Sequence, residues 1–225
     1  MGVIYHPDLI QGSDEWMQAR CGLLTASEMK LIVTPTLKVA ANDKTRAHLY
    51  ELLAQRITRY VEPHYISDDM LRGQQDELDA RALYAEHYAP VQEVGFVAND
   101  CWGFTIGYSP DGLVGDAGLI ECKSRRQKYQ VQTIASNAMP DDYLLQVQTG
   151  LLVTDRAWCD FVSYSGGLPM VVIRVHADDN VQAAIVDAAT AFEAKLREEW
   201  QRYDGNVKAS GWRPTERRVE MDITV

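Results

Sequence analysis

The stretch Tyr108–Ser124, YSPDGLVGDAGLIECKS, places two acids and a base, Asp111, Glu121 and Lys123, in one turn-and-strand unit. SPDG is a turn signal, because proline presets the backbone and aspartate accepts local hydrogen bonds. GLIECKS reads as a strand. Residues i and i+2 of a strand share a face about 6 to 7 Å apart, so Glu121 and Lys123 point one way and Cys122 the other. Asp111 sits at the end of the preceding strand. If the two strands pair through the turn VGDAG, the carboxylates of Asp111 and Glu121 converge. Two anions so close in a partly dry cleft repel unless a proton or a cation lies between them. Next to Leu119, Ile120 and Cys122, an unpaired Glu121 charge would be costly to bury.

A hard divalent cation meets that need, since Mg²⁺ prefers oxygen ligands, keeps several waters and is held by one or two carboxylates plus phosphate oxygens. Such an ion lowers the pKa of a bound water and offsets charge in a phosphoryl transition state. Lys123 would orient or deprotonate that water, or neutralise charge at phosphorus. The spacing D-x9-E-x-K therefore points to phosphodiester cleavage. Taken singly, SPDG is an ordinary turn and E-x-K a solvated strand face; it is their combination on a central strand that carries the reading.

The rest of the chain sets bounds. With 225 residues, 46% apolar and 24% charged, it is expected to fold as one domain over 1–225, with a core over about 13–203 and a mobile tail over 204–225. A net charge of −10 argues against coating nucleic acid through a basic surface, though not against a local basic groove. The four cysteines lie singly, without a CxxC pair, and read as free thiols. His6, His48, His64, His87 and His176 do not cluster, and none is assigned a catalytic role. No segment approaches the roughly 18 apolar residues of a membrane span, and the amino terminus lacks a signal-peptide pattern, so a cytoplasmic protein is expected.

Periodicity predicts the elements. Two short helices begin at SDEW, with Ser13 as N-cap, and at TASE, where Thr25 and Glu28 have capping-box spacing. A third helix starts at Asn42, and a fourth runs from Asp68 to Tyr88 with an apolar edge at Leu71, Leu78, Ala82 and Ala85. Strands follow at 91–99, 101–109 and 118–124, then helices near 126–137 and 141–153. Two more strands span 157–165 and 169–177, and a long helix runs from Asp178 to about Tyr203. The fold class is α/β, a central mixed sheet flanked by helices.

Several blocks, in order, resemble one family: SDEWMQARCGLLTASE, RGQQDE, SPDG, ECK and YLLQVQ are similar to the phage recombinase exonucleases of the lambda exonuclease or YqaJ type. These belong to the PD-(D/E)xK nuclease superfamily, with its restriction-endonuclease-like core. The likeness runs from about Ser13 to Thr154. It implies that Asp111, Glu121 and the backbone carbonyl of Cys122 hold Mg²⁺, with Mn²⁺ as an alternative and one or two ions per site. Lys123 would be the catalytic lysine and Glu77 a further metal-site carboxylate; without the family, Glu77 reads as an exposed i, i+4 partner of Arg81. Arg20, Ser27 and Ser109 would bind a terminal 5′-phosphate. Gln146 and Gln148 point roughly 200° apart on a helix, so only one faces the cleft; register favours Gln148.

Arg125 and Arg126, with Lys128, form a basic edge after the catalytic strand suited to DNA phosphates; Arg213, Arg217 and Arg218 form a second patch. Met70 and Leu71 read as core packing, or as an apolar wedge at a duplex end. The resemblance implies a 5′-to-3′ exonuclease on linear double-stranded DNA, leaving a 3′ single strand for a phage single-strand annealing protein, and a homotrimer ring around DNA in the bacterial host cytoplasm. The alternatives are a site-specific endonuclease of the same fold and an inactive DNA-end-binding recombination protein.

Overall fold

The computed structural model describes residues 2–63 and 68–217, with only the backbone of 68–70. The expectations for His64, for the side chain of Met70 and for Arg218 lie outside the described residues. Strands β1 (Val3–His6), β2 (Leu24–Thr25), β3 (Phe96–Asn99) and β4 (Ile106–Tyr108) form one sheet in the order β1-β3-β4-β2. Strands β5 (Gly112–Val114), β6 (Gly118–Ser124), β7 (Trp158–Tyr164) and β8 (Val171–His176) form a second, in sequence order. Both are mixed: β2 runs parallel to β4 and β6 parallel to β7, and the other pairings are antiparallel.

The expected single sheet is thus divided in two. Pro110 has no N–H with which to extend a ladder, and the chain turns there from β4 into β5 instead of pairing β4 with β6. The segment leading toward β3 meets β5 where Gln92 and Leu113 exchange backbone hydrogen bonds of 2.9 and 2.8 Å. Asp111 consequently stands at the entry of β5, not at the end of the preceding strand. Gly112 is required for close approach, because a Cβ there would lie 2.1 Å from Val91 Cγ1.

The helices are α1 (Asp14–Arg20), α2 (Asp43–Thr58), α3 (Asp68–His87), α4 (Gln127–Ser136), α5 (Leu144–Thr154) and α6 (Asp179–Ser210). Ser13 caps α1 through Trp16 N, Asn42 caps α2 through Lys44 N and Thr45 N, and Asp178 caps α6 through Asn180 N and Val181 N. The TASE segment forms a 3₁₀ helix, Ala26–Leu31. Helix α6 extends past Tyr203 to Ser210, where Gly211 at φ 64° ends it, so 204–210 is helix and not tail. Arg217 stacks on the Tyr60 ring at 3.8 Å and donates to Thr58 O, which ties the described end of the chain back to α2.

The larger core gathers Leu49, Leu52 and Leu53 of α2, Val147 and Leu151 of α5, Ile185, Phe192 and Leu196 of α6, and one face of β6 and β7. On the other face of those strands, Ile120, Cys122 and Val162 pack under Ala80 and Tyr84 of α3. The inward edge of α3 therefore differs from the expected one: Leu71 and Leu78 are 53% and 49% exposed, and Ala82 and Ala85 face solvent. The helix turns Asp76 and Arg81 toward the strands instead. Ser124 Oγ donates to Asp76 at 2.5 Å and Arg81 donates to Asp111 O at 3.2 Å, and that rotation swings the leucines outward.

A buried clamp joins α2, α6 and the loop before β2. Arg56 donates to both Glu193 oxygens at 2.8 and 2.5 Å and to Gly22 O at 2.7 Å. Glu193→Ala leaves that guanidinium unpaired in the interior, and a loss of about 3 kcal/mol in urea unfolding is expected; a loss below about 1 kcal/mol would show that the clamp contributes little net stability.

Candidate active site

The catalytic stretch converges because β5 is short. Its register with β6 pairs Gly112 with Ile120, and one step further sets Asp111 opposite Glu121. There the ladder stops, and the Asp111 carboxylate takes its place: Oδ2 accepts from Cys122 N at 2.6 Å. Asp111 is thus held by its own side chain and by Arg81 on its carbonyl. Glu121, 1% exposed on the middle of the sheet, has both oxygens engaged. Tyr108 OH donates to Oε2 at 2.7 Å, Lys123 Nζ lies 2.6 Å from Oε1, and Gln146 Nε2 also donates to Oε1. Glu77, on α3, stands 3.9 Å from Lys123 Nζ and so faces the site rather than Arg81.

Burial and the Glu121 charge push Asp111 up to about 8, against the opposing pull of Lys123. Burial also raises Glu77, partly offset by Lys123. For Lys123 itself burial acts to lower the pKa, but Glu121, Asp111 and Glu77 outweigh it, so the ammonium keeps its proton. These directions describe a pocket with more negative charge than one lysine balances. The donor set is all oxygen, and among the described residues no group of three or more His, Cys, Asp or Glu is arranged to hold a metal ion. Two carboxylates in an open site fit a hard, water-rich cation such as Mg²⁺ better than a dehydrated structural ion. Cys122 can contribute only its backbone, since its side chain is buried under α3.

Beside the carboxylates lies a second group. Arg20 donates to Ser109 Oγ at 3.0 Å and to Thr25 Oγ1 at 3.4 Å, and stacks on the Trp16 ring at 4.3 Å. Trp16 Nε1 donates to the same Ser109 Oγ at 2.9 Å. Burial lowers the Arg20 pKa and Glu28 opposes this. Arg20 is thus held by two hydroxyls and an indole ring. The two groups share one cleft of about 200 Å³, lined by Arg20, Ser27, Ser109, Glu77, Asp111, Glu121, Lys123 and Gln146 together with Gln11, Trp16, Ala26 and Tyr108.

Gln148 is a correction. It is 1% exposed on the far side of α5, where Nε2 donates to His176 O at 2.8 Å and Oε1 accepts from Asp178 N at 2.9 Å. The 200° offset between the two glutamines holds, and it is Gln146 that reaches the carboxylates. Arg125 and Arg126 do not line the cleft. Arg125 donates to Tyr143 OH at 2.7 Å and braces the lead-in to α5, while Arg126 is exposed at the N-cap of α4. The sequence reading missed Trp16, Thr25, Tyr108 and Arg81. Only Trp16 left a signal, its i, i+4 spacing to Arg20 on one helix. Tyr108 could not be found by pattern: it reaches Glu121 because Gly150 leaves room, a Cβ there falling 2.7 Å from the tyrosine ring.

A sequence profile of the YqaJ-like viral recombinase domain matches residues 15–157. Among solved structures, an alkaline exonuclease (LHK-Exo) from Laribacter hongkongensis aligns at 34% identity over 87% of this chain and 98% of its own, with a TM-score of 0.77. LHK-Exo in complex with dAMP aligns at 35% identity, with the same coverages and TM-score. A phage-related exonuclease from Haemophilus somnus 129PT shares the fold at 12% identity and a TM-score of 0.55, over 79% of this chain and 96% of its own. No protein of curated function matches the chain.

Two outcomes follow from the geometry. Unfolded, Asp111 releases its proton near 3.8; folded and ion-free, it holds it to about 8. Between those values the folded state binds the extra proton, so the contribution of this group to stability falls as pH rises through the window and is level above it. Asp111→Asn keeps an acceptor for Cys122 N and removes the charge, so in chelator its Tm is expected to exceed that of the wild type, by more near pH 8 than near pH 5. An equal difference at both would assign the charge to another group. Gln148→Ala strips partners from two backbone groups and is expected to cost about 1 to 3 kcal/mol in denaturant unfolding, with Gln146→Ala costing less.

Proposed function

The chain belongs to the YqaJ-like viral recombinase domain family, and from that premise we propose a Mg²⁺-dependent deoxyribonuclease that digests the 5′-ended strand of linear double-stranded DNA from a 5′-phosphorylated end. The observation that carries the reading is the shared cleft: a carboxylate pair with its lysine opens directly onto a buried arginine whose partners are hydroxyls. A guanidinium whose hydrogen-bond partners are neutral hydroxyls suits a phosphate monoester, which it grips through its fork of donors. The relative from Laribacter hongkongensis was solved with dAMP, a nucleoside 5′-monophosphate of the kind that stepwise hydrolysis from a 5′-phosphorylated end releases.

In this mechanism Arg20, Ser27 and Ser109 seat the terminal 5′-phosphate, which sets the next phosphodiester at the carboxylates. Asp111 and Glu121, with the Cys122 carbonyl, would hold Mg²⁺, Glu77 standing by for a second ion. The ion supplies a water of lowered pKa and charge compensation at the phosphoryl oxygens. Lys123, kept protonated by its three acids, orients the attacking water and donates to the phosphate as charge builds. Gln146 and Tyr108 keep Glu121 from turning away. Water oxygen bonds to phosphorus, the bond to the 3′-oxygen of the outer nucleotide breaks, and the shortened strand begins with a new 5′-phosphate. That end is again a substrate for the Arg20 pocket. Arg126 and Lys128, exposed where β6 passes into α4, would touch the DNA backbone in this reading. The homotrimer ring, the single-strand annealing partner and a cytoplasmic site of action belong to the same proposal; among the described residues no helix is long and apolar enough to cross a membrane.

The test is a digestion of linear duplex bearing 5′-phosphate or 5′-hydroxyl, beside closed circular duplex, with Mg²⁺, Mn²⁺ or chelator. Loss of the 5′-phosphorylated strand alone is expected, falling at least about 100-fold in Lys123→Ala and about 10-fold in Gln146→Ala. Cutting of the circle would identify an endonuclease, and full activity of Lys123→Ala would remove the lysine from the chemistry.

A further inference from the structure

The Arg20 pocket continues inward. Thr25 Oγ1 has one proton and two lone pairs. It donates that proton to Glu28 Oε2 at 2.7 Å, the shortest of its contacts and the one to a carboxylate. The lone pairs are then left for Arg20 NH2 and for Ser27 Oγ, each at 3.4 Å. Because the Thr25 proton is committed to Glu28, Ser27 is the donor of its pair with Thr25, and its exposed hydroxyl is free to redirect that proton to an incoming anion. Glu28 thereby sets the direction of the Thr25–Ser27 bond and keeps a Thr25 lone pair for Arg20, which can only donate.

Glu28 is itself held from behind. The same oxygen accepts from Thr25 N at 3.3 Å, closing the capping box of the 3₁₀ helix, and faces His48 Nε2 at 3.9 Å. His48 is 2% exposed, packs its ring against Phe192 of α6 and shares Nδ1 with Glu51 at 3.3 Å, while Nε2 has no hydrogen-bond partner of its own. A capping box needs only the backbone contacts. The additional short bond from the Thr25 hydroxyl, and the electrostatic support that Glu28 gives to buried Arg20, are what a helix start alone does not require.

We propose that Glu28 is a positioning residue that sets the enzyme's selectivity for 5′-phosphorylated ends, acting through Thr25 on Arg20 and Ser27. The proposal rests on the reading of the Arg20 cleft as the terminal-phosphate pocket. Glu28 does not touch the phosphate. It orients the groups that do, in the way a supporting hydrogen bond fixes a ligand-binding side chain. Glu28→Gln retains an acceptor for Thr25 N and Oγ1, whereas Glu28→Ala frees the threonine to turn its proton toward Ser27 and its lone pairs away from Arg20, which can only donate.

The experiment measures the ratio of kcat/KM on duplex ends with 5′-phosphate to that with 5′-hydroxyl, for wild type, Glu28→Ala, Glu28→Gln, Thr25→Val and Glu28→Ala combined with Thr25→Val. The ratio is internally normalised: a partly unfolded preparation lowers both rates and leaves it unmoved, and thermal unfolding is recorded alongside. Glu28→Ala is expected to reduce the ratio about 10-fold, mainly through KM on phosphorylated ends, and Glu28→Gln to restore it to within about 3-fold of wild type. The double variant is expected to be no worse than either single one, because both break the same link. An unchanged ratio in Glu28→Ala, or additive losses in the double variant, overturns the role of Glu28 while leaving the pocket standing. A wild-type ratio near one overturns the pocket, and this inference with it.

Discussion

The burial of two carboxylates side by side is the constraint around which the molecule is arranged. Asp111 sits at the entry of the three-residue edge strand β5 and Glu121 on the inner strand β6 beside it, where each would repel the other. Four elements answer that repulsion. Strand β6 offers the Cys122 amide and the Lys123 ammonium, β4 the Tyr108 hydroxyl, α5 the Gln146 amide, and α3 the Arg81 guanidinium on the Asp111 carbonyl. Burial, with the negative charge of Glu121, holds Asp111 at about 8. Stability is given up here to keep both carboxylates in the interior.

The same constraint explains why α3 turns an unexpected side inward. A helix judged by hydrophobicity alone puts Leu71 and Leu78 in the core. In the fold, Glu77 and Arg81 must meet the site, so the buried stripe is Ala80 and Tyr84, and Tyr84 carries its own hydroxyl to Asp160 at 2.7 Å. Asp160 is in turn held by Arg174 through two bonds of 2.8 Å, with the arginine stacked 3.6 Å over Trp158. The apolar period in the sequence marks the solvent side, because polar contacts of Asp76, Arg81 and Tyr84 set the inward one. That is why the element was legible and its facing was not.

Function gathers at the 3₁₀ helix because it lies between the catalytic sheet and the α2–α6 pair. Its first residues line the Arg20 cleft, Glu28 faces His48 of α2, and Met29 and Ile32 enter the main core. Arg56 anchors the preceding loop to α6 through Glu193 and Gly22. The groups around Arg20 are thus mounted on rigid packing.

The sequence by itself determined the α/β class, the order of the long elements and the identity of Asp111, Glu121 and Lys123, since these depend on period-2 and period-3.6 patterns and on spacing within one strand. It also determined that only one of Gln146 and Gln148 could reach them. Which one did was a matter of how α5 is rotated against two sheets. The division of the sheet at Pro110, the facing of α3, the placing of Tyr108 through Gly150, and the link from Glu28 to Arg20 were likewise decided by tertiary structure. Each depends on contacts between residues far apart in the chain or on the direction of a single proton, and neither leaves a local mark in the order of amino acids.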